Sequence, residues 1–312
     1  MQEEAAASIN EEKPFPDARL GLMLACAHPA VDSAARTPLM LQAVLGLSAE
    51  RMASAFVTSP AAMTKRLVRA KAKLAAAGVR FTLPGPEALV ERMEPLLDAV
   101  YAAFTLSRDG GDRVLQDEAL WLARLLAELA VGEPEAAGLL ALTLFVSSRE
   151  TAVDEFTPLS QQQPADWDSR RMCEAETLLR AAARLGRPGR FQLEAAIQAV
   201  HADRRRTMRT DWTAILTLYE GLILIAPTIG AQVARAAALA QSGDPAAALS
   251  ALDMLDPARV AAHQPYWAAR AYALAADGQK AAAADAYLRA AGLTEHHAIR
   301  AWLLEQRVKL EN

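Results

Sequence analysis

The stretch from Gly46 to Leu74, GLSAERMASAFVTSPAAMTKRLVRAKAKL, leaves the backbone few choices. It holds two helix-forming segments with a tight turn between them. Ser48 is placed to cap a first helix running from about Ala49 to Phe56, and Val57 and Thr58 turn the chain. Ser59 is the next capping candidate, because its hydroxyl can accept a hydrogen bond from a free amide of the first turn. Pro60 then falls at the first helical position, where its missing N–H is not needed. In the second helix Met63, Leu67, Ala70 and Leu74 recur at steps of four, three and four. That spacing puts them on one face, toward a core. Ala61, Thr64, Lys65, Val68, Arg69 and Ala72 point away from that face or flank it. A small, basic, exposed face on the second helix of such a pair suits the DNA major groove.

The charge distribution agrees. Between Arg51 and Pro86 stand Arg51, Lys65, Arg66, Arg69, Lys71, Lys73 and Arg80 without one acidic residue, although the whole chain carries a formal charge of −4. A local basic block in an acidic chain is the footprint expected of phosphate contact. The competing reading is a solvated basic helix in an ordinary helical domain.

Composition sets the fold class. Hydrophobic residues make up 53% of the 312, aromatics only 5%. Alanine is abundant and favours helices and their close packing, while strand-forming runs are scarce, so the chain is expected to be all-α. Cys26 and Cys173 lie in different regions, which makes neither a disulfide framework nor a zinc pattern and fits a reducing cytoplasm. Cys26-x-His28 lacks two further ligands nearby, and its plainer reading is a helix end before Pro29. The acidic start, MQEEAAASINEEKPFPD, has no apolar signal core. The apolar runs at 138–146 and 222–226 are too short to span a membrane. No phosphate-binding glycine loop, nucleophile elbow or His-Glu-x-x-His helix occurs. His28, His201, His263, His296 and His297 show no ligand spacing. The expectation is a protein that is not an enzyme, without metal, cofactor or membrane partner.

Taken in order, residues 1–16 read as a disordered tail and 17–80 as a helix-turn-helix domain. In that domain a first helix turns Leu20, Met23 and Leu24 inward, and a support helix covers Asp32 to Leu45. Gly78, Pro84, Gly85 and Pro86 break periodicity and set the boundary. Residues 81–312 form a helical extension, with helices expected near 87–106, 114–131, 134–148, 169–184, 188–202 and 211–225. Asp154 to Asp168 reads as a long surface loop, functional or mobile. Arg204, Arg205, Arg206 and Arg209 either touch nucleic acid or an acidic partner, or sit in a solvated interhelical loop. Toward the end, AAALAQSGDPAAAL (236–249) matches AYALAADGQKAAAA (271–284), pairing Gly243 with Gly278 and Leu239 with Leu274. A repeat near thirty-four residues, with small residues at helix crossings and a glycine turn, is the pattern of tetratricopeptide units, most evident over 227–312. Such units stack into a groove that binds a peptide or protein.

The stretch at 46–74 resembles region 4 of the extracytoplasmic-function sigma factors. With the flanks RLGLMLACAHPAVDSAARTPLMLQAVLGL, AGVRFTLPGPEAL, LGRPGRFQLEAAIQAVHA and DWTAILTLYEGLILIAP, it is similar to the group carrying a long tetratricopeptide-like C-terminal extension. The resemblance implies a transcription protein that reads a −35-type promoter element and docks on the β flap of core RNA polymerase, in the cytoplasm. Thr64, Lys65 and Arg69 would then reach base edges, and Arg51, Arg66, Lys71 and Lys73 would steady phosphates, with Arg66 alternatively bracing the motif. Too little chain precedes Asp17 for the region that melts the −10 element, so either that half of sigma chemistry is missing or the chain is shortened from a longer gene product. Arg51 stands where the family often has an acid that closes a capping box, Ala62 where it has a threonine, and Ala27 where it has a second cysteine. The alternative is a sigma-derived helical-repeat scaffold or regulator that no longer initiates transcription.

Overall fold

The computed structural model describes residues 17–53, 56, 58–79, 86–150 and 156–311. The expected tail at 1–16, Val57 of the turn, Arg80, the Pro84-Gly85 breaker and the start of the loop at Asp154 lie outside the described residues. Regular structure among the described residues is entirely helical, with no strand. In chain order the helices are α1 (Ala18–Cys26), α2 (Ser33–Leu45), α3 (Ala49–Ala53), α4 (Pro60–Ala76), α5 (Pro86–Asp109), α6 (Arg113–Leu129) and α7 (Pro134–Ser147). They continue as α8 (Ser169–Ala183), α9 (Arg190–Ala202), α10 (Arg204–Thr207), α11 (Trp212–Ile225), α12 (Ile229–Gln241) and α13 (Pro245–Asp253). Last come α14 (Pro257–Val260), α15 (Gln264–Ala276), α16 (Lys280–Gly292) and α17 (His297–Glu311).

The chain divides into two compact units. The first unit runs to Leu106 and adds Val114–Leu122; the second holds Ser107–Arg113 and everything from Ala123 onward. The reason is apolar burial. Leu96, Leu97, Ala99, Val100 and Phe104 of α5 and Leu122 of α6 are buried, and Ala99, Val100 and Leu122 line a small apolar crevice with Met23, Met40, Leu41 and Val44 of α1 and α2. Polar ties reinforce this side of the unit. Arg92 donates to the Leu24 carbonyl at 3.1 Å, and Arg19 pairs with Asp17 and Glu118 while lying 4.0 Å over the Trp121 ring. Helix α5 thus supports α1 and α2 from one side.

In the second unit α7 is buried nearly all round, as its sequence PEAAGLLALTLFVS requires. It packs on α8 and α9. A Cβ on Gly138 would lie 2.8 Å from the Gln192 amide nitrogen, so glycine alone permits this approach. The Glu135 carboxylate accepts from the Phe191 and Gln192 amides at 2.8 and 3.0 Å, capping α9 from outside its own segment. Beyond α11 come two hairpins, α12 with α13 and α15 with α16. Their turns are alike: Asp244 N–H donates to the Leu239 carbonyl at 3.0 Å and Gln279 N–H to that of Leu274 at 2.9 Å. Gly243 and Gly278 both take a positive φ, 98° and 81°. The fourteen-residue sequence match, at an offset of thirty-five, thus carries the same glycine turn twice.

Candidate nucleic-acid interface

The first unit builds its helix-turn-helix from local signals. Gly46, at φ 68°, ends α2 in the left-handed conformation, and Leu47 N–H reaches back to the Leu41 carbonyl at 3.2 Å, closing a Schellman-type end. Ser48 Oγ accepts from the Arg51 amide at 3.3 Å and so caps α3 as expected. The carboxylate near this cap is Glu50, whose pKa is held below its ordinary value by its own amide and by the Ser48 hydroxyl. Helix α3 is described over Ala49–Ala53, Ser54 and Ala55 lie outside the described residues, and Phe56 N–H bonds the Met52 carbonyl at 3.1 Å. Thr58 N–H closes the turn on the Ala53 carbonyl at 3.0 Å. Ser59 then caps α4 through the Ala62 amide at 3.2 Å, with Pro60 at the first helical position. Helix α4 is anchored by buried Met63, Leu67 and Ala70, with Leu74 half-buried, as the spacing predicts.

The opposite face of α4 is open. Thr64, Lys65, Val68, Arg69, Lys71, Ala72 and Lys73 are exposed, and Arg66 is half-buried at the margin. Arg51, on α3, is also exposed. Three positions are modified by their neighbours. Thr64 Oγ1 donates to the Pro60 carbonyl at 2.9 Å, so its single donor is spent on the helix and it can offer a base only an acceptor. Arg69 Nε donates to the Lys65 carbonyl at 3.3 Å, which steers the end of its guanidinium along the helix surface. Lys73 Nζ lies 2.8 Å from Asp32, so its charge already has a carboxylate partner. Asp32 sits at the start of α2 but caps no amide there. Its pKa is lowered by the Lys73 hydrogen bond and charge, and further by Arg69. Spacing within α4 could not reveal Asp32; only folding brings it there.

Cys26 and His28 have different surroundings. Burial pushes the Cys26 thiol up to about 11 against the opposing charge of Lys71, and a protonated thiol is a poor ligand. His28 Nδ1 accepts from the Ala30 amide at 3.1 Å. Among the described residues no three His, Cys, Asp or Glu side chains gather as a metal would need.

In the second unit Arg204 and Arg206 of the arginine run have partners within the protein. Arg204 donates to the Leu159 carbonyl at 2.7 Å and to that of Gln162, and its guanidinium lies 5.1 Å from the Trp167 ring. Arg206 pairs with Asp203 at 2.8 Å. Arg204 is thus engaged within the protein. It holds the described part of the 154–168 loop, which folds into short 3-10 turns at Leu159–Gln161 and Pro164–Asp166 with Trp167 buried. Nearby, burial and the charges of Arg108 and Arg204 lower Arg149 to about 10. Burial, Arg149 and Arg204 push His201 down to about 4. A groove of about 890 Å³ opens in this unit among Leu179 and Arg180 of α8, Val200 of α9, Arg209, and Trp212 of α11.

Residues 92–183 match a family of unknown function (DUF6596), a span reaching from α5 to the end of α8. An uncharacterized protein of Rhizobium meliloti (strain 1021) is 34% identical over 302 residues, covering 94% of this chain and 71% of that protein. No solved structure matches the chain. The shared length takes in both compact units, and the chain belongs to the family of that Rhizobium meliloti protein.

Proposed function

We propose that the chain is a transcription protein of the sigma-factor family that reads −35-type promoter DNA with α4, docks on RNA polymerase and acts in the cytoplasm. One observation carries the reading. The outward face of α4 presents Lys65, Arg69 and Lys71 to solvent, with Arg66 at its margin and no acidic side chain on the helix. The face is held rigid by a buried stripe and a serine cap, as a reading helix must be to place side chains in the major groove. Polymerase docking rests on the resemblance of Gly46–Leu74 and its flanks to sigma region 4. Selection of bound duplexes from a random-sequence pool tests the reading. A sequence preference is expected for the wild-type chain, and Lys65→Ala or Arg69→Ala should blunt it. Recovery of unselected sequence by wild type and variants alike would refute it.

A second reading is favoured by the groove beside Trp212 and by the two repeated hairpins. In it the chain is a protein-interaction scaffold or regulator that takes a peptide in the second unit. It predicts binding that survives removal of the α4 cations.

A further inference from the structure

Val68 is the odd residue on the open face of α4. It is 61% exposed, at the centre of a surface otherwise made of small and basic side chains. Lys65 and Lys71 lie three residues to either side of it, Thr64 one turn before and Ala72 one turn after, so all four are its neighbours on the helix surface. At its other exposed apolar positions past Pro60, α4 carries alanine, at Ala61, Ala62, Ala72, Ala75 and Ala76. Alanine is the better helix former there, because a β-branched side chain loses rotamer freedom against the preceding turn. Val68 carries that helix-forming penalty while burying little within the protein. Its two methyl groups gain something only by covering an apolar group on whatever α4 meets.

The charge around it says what that partner is. Every ionisable side chain on α4 is a cation, so the face complements a polyanion and repels a basic protein surface. The apolar group that a DNA major groove offers at base-edge depth is the C5-methyl of thymine, which apolar side chains contact in direct readout. We infer that Val68 is a specificity-determining residue that reads a thymine methyl in the duplex that α4 enters. The inference rests on the DNA-reading function proposed above and adds the base chemistry recognised. Lys65 and Lys71, on either side, anchor to the strands while Val68 covers the methyl. Thr64, left with acceptor capacity only, suits an adjacent adenine or cytosine amino group.

The test replaces thymine with deoxyuridine, one position at a time, in a duplex recovered by the wild-type chain. The change deletes the methyl and leaves every hydrogen-bonding group in place. Wild type is expected to lose roughly threefold to tenfold in affinity at one or two positions. Val68→Ala should bind the thymine duplex as weakly as wild type binds the deoxyuridine one, and should show no further loss on substitution. Its thermal midpoint should equal or exceed that of wild type, since alanine favours the helix. Equal binding of thymine and deoxyuridine duplexes by wild type at every position overturns the inference and leaves DNA reading intact. So does a Val68→Ala chain that loses affinity for both duplexes while keeping the full methyl dependence, because Val68 would then act elsewhere. Failure of the wild-type chain to bind any duplex at low salt would instead remove the DNA-reading function itself.

Discussion

Two side chains, Asp32 and Lys73, change how the basic face is read. Spacing alone makes Lys73 a phosphate contact, but its ammonium already lies 2.8 Å from a carboxylate. Both members of the pair are exposed and solvent screens it, so a phosphate can compete for the lysine, and Asp32 opposes it. Asp32→Asn is therefore expected to tighten binding to any duplex roughly twofold to fivefold at low salt, as read by fluorescence anisotropy, with no change in thermal midpoint beyond about 2 °C. Because Asp32 titrates below the ordinary carboxylate range, its opposition is present at neutral pH and is lost only as pH falls through that lowered value. His201 gives a stability test. Its pKa falls from 6.5 to about 4 in the folded chain, so the unfolded chain takes up the proton first. Stability that is full above pH 6.5 is lost as pH falls toward 4, a change on the order of 2–3 kcal/mol. In His201→Gln the denaturant midpoint should be flatter across that window, which equilibrium unfolding at several pH values would check.

At the scale of the helix, caps and close approaches decide which elements form and where they sit. Ser59→Ala removes the acceptor for the Ala62 amide and should cost about 1 kcal/mol. Gly138→Ala drives a Cβ to 2.8 Å from the backbone nitrogen of Gln192. That forces α7 and α9 apart at a cost of about 1–3 kcal/mol, visible as a lowered denaturant midpoint with an unchanged slope. Much of α4 was legible in advance, because Ser59, Pro60 and the stripe of Met63, Leu67 and Ala70 act within a few residues of one another. The glycine turns at Gly243 and Gly278 were legible for the same reason. What escaped the sequence acts across distance. Arg204 looked like part of a charge run, but its acceptors are carbonyls 45 and 42 residues away. The apolar stripe of α5 announced a buried face without saying which side of the chain would bury it. Asp32 carries no mark of its partner 41 residues on.

The chain combines a unit that carries a basic helix with a unit that includes two hairpins with alike turns. The described helices include none long and apolar enough to cross a membrane, and the basic block stands within a chain of formal charge −4. That asymmetry makes salt the decisive variable. A chain that neutralises about four phosphates through α4 should show a log–log slope of affinity against salt of roughly −3 to −4. A scaffold whose ligand sits beside Trp212 should show no such slope with DNA. The direct test is a fluorescence anisotropy titration of a labelled duplex at several salt concentrations, comparing wild type with the double variant Lys65→Ala, Arg69→Ala. The account predicts a slope of about −3 to −4 for wild type and one shallower by about two for the double variant. Identical slopes for the two proteins, or no binding by wild type at low salt, would contradict it.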